Sequence, residues 1–351
     1  TTKTLHVIRI FADTLVILNG VKRPFVYNKS TDGGATWNST AILLPGFDSN
    51  RHTYGAADDY DIDANGNTVA IVQGGLGDDL TMWKSTDGGN TWSRTLVDSF
   101  EYAPDYATNP NTPFDTELPT NDGSMSVIVD NTGLVHVAYA GSGVEMSSTQ
   151  GSVFFPGTMD LRYWHEGMDT AVSVPILLAD VDADGDGTYA VGTATTNADG
   201  TTGPAARYGN NSVLCKPSIA MDAAGDIFIV FSLPHDADTL PDGQSFRDVW
   251  VTSSTDGGAT WNCVQNMTNT TLVEEAFATA AKLVDTKLHV VYQEDYEPGT
   301  ELTNGDARAQ NKIVYLPIDA SRILNCSVGI NQVSNHADLV VSQNSPNPFT
   351  Q

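Results

Sequence analysis

Short apolar runs alternate with turn-forming clusters along the whole chain. Thr68-Val69-Ala70-Ile71-Val72 follows Asp63-Ala64-Asn65-Gly66, and Leu134-Val135-His136-Val137-Ala138-Tyr139 follows Asp130-Asn131-Thr132-Gly133. Ile227-Phe228-Ile229-Val230-Phe231 follows Asp222-Ala223-Ala224-Gly225 in the same way. Weaker versions stand at Asp13-Thr14 before Leu15-Val16-Ile17-Leu18, and at Asp285-Thr286 before Leu288-His289-Val290-Val291-Tyr292. Runs this short, rich in β-branched and aromatic residues and bounded by Asp, Asn and Gly, predict strands joined by tight turns. None approaches the ~20 apolar residues of a membrane-spanning helix.

A second punctuation mark is an octapeptide that occurs three times: Ser30-Thr31-Asp32-Gly33-Gly34-Ala35-Thr36-Trp37, Ser85-Thr86-Asp87-Gly88-Gly89-Asn90-Thr91-Trp92 and Ser254-Thr255-Asp256-Gly257-Gly258-Ala259-Thr260-Trp261. Asp and Ser/Thr side chains hydrogen-bond to nearby backbone amides, and Gly-Gly supplies positive φ, so the octapeptide predicts a hairpin turn. The closing Trp37, Trp92 and Trp261 are expected to pack between neighbouring units. Each copy follows a strand-like stretch, Phe25-Val26-Tyr27, Leu80-Thr81-Met82-Trp83 or Val249-Trp250-Val251. The repeating unit is therefore a four-stranded antiparallel meander, with first turns near Asp13, Asp63, Asp130, Asp222 and Asp285. In the Asp130 unit the second turn, near Asp169, is degenerate.

Repeated four-stranded meanders close into a β-propeller, since radial repetition protects the sheet edges. The interval from Asp130 to Asp222 is longer than the others and leaves room for a motif-poor blade, so six blades are favoured, with five the alternative. In such a meander the short turns share one face. The long segments 46–57, 96–123, 140–158, 179–213, 233–246 and 294–311 fall on the other, where a binding surface is expected.

The octapeptide is similar to the Asp box, S-x-D-x-G-x-T-W, of the BNR-repeat, sialidase-like propellers. That resemblance implies a propeller over residues 1–335, with Asp32, Gly34, Trp37, Asp87, Gly89, Trp92, Asp256, Gly258 and Trp261 in structural, peripheral roles. Sialidases of this kind also carry an Arg-Ile-Pro motif and three substrate-binding arginines. Here there is no Arg-Ile-Pro, and the spacing of Arg9, Arg51, Arg162, Arg207, Arg247 and Arg308 does not single out a trio. Near the end, Val341-Ser342-Gln343-Asn344-Ser345-Pro346-Asn347-Pro348-Phe349 resembles the opening of the C-terminal sorting domain of type IX secretion cargo from Bacteroidota. It implies export across the outer membrane, with residues 336–351 a linker and the start of that domain. The chain opens on Thr1 rather than Met, so its front is expected to be processed or trimmed.

Charge narrows the partners. Lys and Arg total 17 against 43 Asp and Glu, a formal net charge of -26. A surface of that sign repels nucleic-acid phosphates and anionic lipids. Cys215, Cys263 and Cys326 form no CxxC, and leave open buried thiols or one bridge with one thiol spare.

The sharpest chemical cluster is Asp180-Val181-Asp182-Ala183-Asp184-Gly185-Asp186-Gly187. Its alternating carboxylates and the following Gly match the start of an EF-hand-type calcium loop, with Asp180, Asp182, Asp184 and Asp186 the candidate ligands. Position 12 holds Val191 in place of the usual bidentate Glu. Asp58, Asp59, Asp61 and Asp63, Glu274-Glu275 and Glu294-Asp295 are candidate carboxylate pairs for glycoside hydrolysis, which needs two at a set separation. All six tryptophans have packing explanations. Loop aromatics Tyr54, Phe100, Tyr102, Tyr106 and Tyr296 are the candidates for stacking on sugars. HExxH, GxSxG and P-loop patterns are absent from the sequence.

These readings lead to a secreted or cell-surface propeller that binds an extracellular glycan or surface protein without catalysis, with calcium as a structural ion. Two alternatives stand beside it. One is a secreted glycoside hydrolase or lyase with acidic residues at the propeller mouth, and the other is a structural subunit of a surface layer or filament, for which homo-oligomers stay open.

Overall fold

The computed structural model describes residues 3–326 apart from 12, 14, 38, 53–58, 156, 192–210, 242 and 300–309. Among the described residues the chain forms five main sheets in sequence order, antiparallel but for one short parallel pairing, and a separate two-stranded hairpin within the first segment. The first holds β1 (Leu5–Ile10), a small hairpin of β2 (Ile17–Leu18) and β3 (Val21–Lys22), then β4 (Phe25–Ser30) and β5 (Ser39–Ile42), ordered β1-β4-β5. The second is a plain meander of β6 (Tyr60–Asn65), β7 (Thr68–Gln73), β8 (Leu80–Ser85) and β9 (Ser93–Asp98). The third holds β10 (Leu118–Val129), β11 (Val135–Ser147), β12 (Gly151–Phe154), β13 (Leu161–His165) and β14 (Val172–Val174), with β12 added to the far end of β11. Helix α1 (Leu178–Val181) leads to the fourth sheet, β15 (Cys215–Asp222), β16 (Ile227–Thr239), β17 (Ser245–Ser254) and β18 (Gln265–Asn266). The fifth has β19 (Glu274–Ala280), β21 (Lys287–Asp295) and β22 (Lys312–Asp319) before helix α2 (Ala320–Leu324), while β20 (Leu283–Val284) pairs in parallel with the end of β15.

Consecutive sheets pack face to face. Phe25 and Tyr27 meet Ile71 and Trp83 between the first and second. Val72 and Met82 meet Val127 and Val137 between the second and third. Leu161 and Tyr163 meet Ile219 and Ile229 next, and Phe228 and Val249 meet Leu288 and Val290 last. The chain is an all-β propeller, and its described residues carry five blades, the alternative count. In segment 179–213, where a sixth blade had room, the described part holds the end of α1 and turns instead of strands.

Two local expectations change. The Asp13 turn does not join the first two strands of a blade. β1 pairs with β4, the strand leading into the octapeptide, and so takes the place held by β7 and β16. Blade 1 thus has no innermost strand among the described residues. The segments 140–158 and 233–246 are also largely strand, because β11 runs on to Ser147 and β16 to Thr239, making tall hairpins.

At the axis, side chains of one inner strand accept backbone N–H groups from the next. Asp61 takes the Val127 N–H and Asp63 the Val129 N–H, each at 2.8 Å. Ser126 Oγ accepts Ile219 N–H at 3.3 Å and Ser218 Oγ accepts Ala280 N–H at 3.0 Å. Lys282, just past β19, then reaches back across 221 positions to Asp61 at 2.9 Å. Its ammonium also donates to Ser126 Oγ at 2.9 Å and Val127 O at 2.8 Å. The period-two spacing that put Asp61 and Asp63 on one strand face therefore serves blade-to-blade attachment.

The octapeptides close on themselves as hairpin turns. Ser30 Oγ accepts Gly34 N–H at 2.8 Å, while Asp32 accepts the Thr36 N–H at 2.8 Å and its hydroxyl at 2.6 Å. Those bonds favour the ionised form and hold the Asp32 carboxyl down to about 2. Asp87 and Asp256 repeat the arrangement and are lowered for the same reason. Trp92 and Trp261 pack against the preceding blades, but Trp37 stays 42% exposed, contrary to its expected role between units. Cys263 and Cys326 form a disulfide, with Cα atoms 6.0 Å apart, and Cys215 is a buried free thiol.

The Lys282 bridge yields a stability test. Lys282→Met leaves Asp61 and Val127 O without their cation and is expected to lower the unfolding free energy by about 1–3 kcal/mol in urea titrations. Asp61→Asn should cost a similar amount, and the double variant less than the sum.

Candidate functional site

The segments entering β10, β15 and β19 arrive at one end of the blades, and each of these strands is irregular there. The β10–β11 register breaks between Asn121 and Met125, the β15–β16 register between Cys215 and Ser218, and the β19–β21 register between Ala276 and Thr279. Positive φ sits inside each break: Gly123 at 85°, Lys216 at 54° and Phe277 at 55°. Left-handed backbone at a residue with a side chain is strained, and bulges of this kind re-aim side chains beside functional sites. Sequence spacing gave no hint of this ring, because a bulge adds residues without changing the apolar pattern.

The first bulge carries Asp122. Its Oδ1 accepts the Ser124 N–H at 2.7 Å and the Ser124 hydroxyl at 2.6 Å, and its Oδ2 accepts the Ser212 N–H at 2.9 Å. Burial outweighs these bonds and raises the Asp122 carboxyl to about 6. Asp59 rests against the same bulge: a β-carbon on Gly123 would meet its Oδ1 within 2.6 Å. Lys216 in the second bulge adds a positive charge that pulls the Asp122 carboxyl down in part.

Between blades 4 and 5 lies a buried polar network. Glu274 accepts the Arg247 N–H at 2.7 Å and its guanidinium at 3.4 Å. Asp248 accepts from the Thr268 hydroxyl at 3.1 Å and the Thr270 N–H at 3.3 Å, and lies 3.2 Å from His235 Nδ1. Glu275 takes the Tyr292 hydroxyl at 3.4 Å through Oε1, and its Oε2 has no hydrogen-bond partner. Burial first, and the charge of Asp248 next, raise the Glu275 carboxyl well above the ordinary carboxylate range. Glu294 of the other acidic pair instead meets Lys312 at the surface.

The predicted calcium loop divides. Carboxylate oxygens of Asp182 and Asp184 come within 4.8 Å of each other and of Asp236, a β16 residue that the motif did not indicate. Asp182 is already oriented by the N–H groups of Gly185 at 2.8 Å and Gly187 at 2.9 Å, and Asp236 by those of Ala183 at 2.9 Å and Ala190 at 2.7 Å. Asp180 turns to Val264 N–H at 3.2 Å and Asp186 to Thr188, so neither joins the cluster. Val191, at the twelfth position, packs against the core.

The aromatic candidates divide too. Phe100 and Tyr106 are buried on Val144 as the core of their own loop, and Tyr102 packs on them. Tyr296 is exposed, as are Phe114 before β10 and Phe277 in its bulge, two rings the sequence did not single out. Trp83, Trp164 and Trp250 are buried and donate to Pro45, Met168 and Leu233 carbonyls at 2.7, 3.2 and 2.9 Å. The arginines disperse among the described residues: Arg51 faces Asp79, Arg162 lies between Asp98 and Asp160, and Arg247 is buried on Glu274. Tyr54, Asp58, Arg207, Arg308 and Val341–Phe349 lie outside the described residues.

No protein-family model matches the sequence, and no curated protein matches it. Among solved structures it is similar to a protein of unknown function from Dyadobacter fermentans, at 15% identity over 85% of this chain and 68% of that one, TM-score 0.39. An endo-arabinase from Bacteroides thetaiotaomicron matches at 12% identity over 91% and 95%, TM-score 0.40. A PL25 ulvan lyase matches at 11% identity over 75% of this chain, which spans 51% of the lyase, TM-score 0.38. At this similarity no activity passes from them to this chain.

Asp122 gives a pH test with a definite sign. Its folded pKa of about 6 lies above the ordinary carboxylate value, so the folded state binds the proton more tightly. Its contribution is full at acid pH and is lost as pH rises from about 4 to about 6, by roughly 2–3 kcal/mol. Urea unfolding at pH 4 and pH 7 should show that loss in the parent, and Asp122→Asn should remove it.

Proposed function

We propose that this chain is a secreted or cell-surface β-propeller that binds a glycan, without transforming it, at the end of the blades that carries the bulges. One observation carries the reading: the raised Asp122 and Glu275 carboxyls are shut away, while rings suited to stacking reach the surface. Asp122 and Glu275 are buried, and Asp122 has both oxygens occupied. A general acid or base must come within hydrogen-bond reach of its substrate. Phe114 and Tyr296 are exposed, the latter with Lys312 Nζ 5.3 Å from its ring centre, and such rings among convergent polar groups suit a sugar. The net charge of -26 favours a neutral polysaccharide over a sulfated, uronate-rich or sialylated one. Among the described residues no helix is long and apolar enough to cross a membrane.

A second reading, a glycoside hydrolase or lyase, is favoured by one feature. Asp59 and Asp122 adjoin across Gly123, and the raised Asp122 carboxyl titrates near neutrality. Affinity electrophoresis in gels cast with neutral and acidic polysaccharides, with mass spectrometry of the incubated glycans, separates the two. Binding predicts retardation by a neutral polymer, a loss of at least several-fold in affinity for Phe114→Ala and Tyr296→Ala, and unchanged glycan. Released product that vanishes in Asp59→Asn would make the chain an enzyme.

We further propose that Asp182, Asp184 and Asp236 hold a calcium ion that stiffens the segment before β15. Three preoriented carboxylates fit a hard cation, and calcium's remaining ligand positions would fall to carbonyls and water. Calcium should raise the melting temperature by several degrees, chelation should reverse this, and Asp236→Asn should lose the response. An equal response in Asp236→Asn would remove the site.

A further inference from the structure

Three histidine–tyrosine pairs occupy one register position in three blades. They are His6 and Tyr27 in blade 1, His136 and Tyr163 in blade 3, and His289 and Tyr315 in blade 5, with Nδ1 to hydroxyl distances of 2.6, 2.6 and 2.5 Å. In each, the tyrosine stands opposite the residue two beyond the histidine, Ile8, Ala138 or Val291.

Two of the pairs are occupied sockets. The octapeptide of blade 2 docks on the first: the Trp92 ring lies edge-on to Tyr27 at 4.9 Å, and Lys29 Nζ donates to Asn90 Oδ1 at 2.7 Å. The octapeptide of blade 4 docks on the second: Trp261 lies edge-on to Tyr163 at 5.2 Å, and the Tyr163 hydroxyl donates to Gly257 O at 3.3 Å. Gly89 and Gly258 come so close to these tyrosines that a β-carbon on either would collide. Both tyrosines are fully buried. Blades 2 and 4 have Met82 and Val251 in the tyrosine position, and the blades after them, 3 and 5, present no octapeptide. Socket and octapeptide therefore occur together.

Blade 5 has the socket without an octapeptide against it. Tyr315 is 37% exposed, and Val291 and Ile313 beside it are exposed as well. Blade 1 has an octapeptide without a socket against it: Trp37 is 42% exposed, and all eight residues are identical to those docked in blade 4. Among the described residues no contact joins Trp37 of blade 1 to Tyr315 of blade 5, and both rings reach the surface.

We propose that a second copy of this chain supplies the missing half, its Ser30–Trp37 octapeptide docking on His289 and Tyr315 and repeating between chains the contact made twice within one. Such a head-to-tail interface is heterologous, so it propagates to longer assemblies or closes a ring of chains. Like-charge repulsion opposes it, and added salt strengthens it.

Sedimentation velocity on the 351-residue chain over a wide concentration range, at moderate and high salt, tests this. Growth of dimers and larger species with concentration is expected, with loss of both in Trp37→Ala and in Tyr315→Ala. Each variant keeps one intact half, so an equal mixture should recover dimers and stop there. The Trp37 ring reaches the surface, so the melting temperature of monomeric Trp37→Ala should not move, whereas Tyr315→Ala also loses its own bond to His289. Monomers at every concentration would overturn the proposal, as would oligomers that persist in both variants. A fall in melting temperature of monomeric Trp37→Ala would overturn it too, by placing the contact within one chain.

Discussion

The rest of the molecule depends on how consecutive inner strands are tied at the axis. Neighbouring blades share no ladder of sheet hydrogen bonds along most of their length, so apolar packing alone would let one slide on the next. Asp61, Asp63, Ser126 and Ser218 prevent that by accepting main-chain N–H groups of the following inner strand. Directional bonds fix height and rotation where apolar contact fixes only separation. Lys282 then joins blades 2, 3 and 5 at one ammonium. The bulges open immediately beyond these attachments, which hold irregular backbone on a rigid base.

What the sequence revealed followed from short-range chemistry. The octapeptide turns were legible because serine, aspartate and threonine bond within the turn itself, as Ser30, Asp32 and Thr36 do. Strand identity and the meander followed from short apolar runs bounded by turn residues, and the propeller from their repetition. The count of blades was less legible: segment 179–213 lengthens the interval before Asp222 but, where described, holds no strand. The role of Asp61 and Asp63 was hidden because an acceptor for a neighbour's amide and a carboxylate lining a mouth share the same spacing. Asp236 was invisible as a partner of Asp182, since 54 positions and a sheet separate them. Trp37 shows the limit of a motif: three equal octapeptides have unequal surroundings.

Local strain and local acidity coincide at one end of the blades. Lys216 and Phe277 hold backbone that side chains seldom adopt, and the Asp122 carboxyl, in the bulge of β10, is raised to about 6. Both raise the energy of the folded state and are offset by the apolar layers on either side of β15 and β19. The same burial that raises the Asp122 and Glu275 carboxyls also removes them from contact with anything arriving from outside. Strain, then, is spent on the shape of the surface more than on the reactivity of the groups beneath it.

The disulfide between Cys263 and Cys326 gives the molecule a mechanical property. β22 is an outermost strand, and a pull on the chain just beyond α2 would peel it from β21 one hydrogen bond at a time. The bridge diverts that load. Tension arriving at Cys326 passes to Cys263, next to the octapeptide of blade 4, and so to a strand held on both edges. A pull at that end is therefore shared between blades 4 and 5 and does not fall on β22 alone.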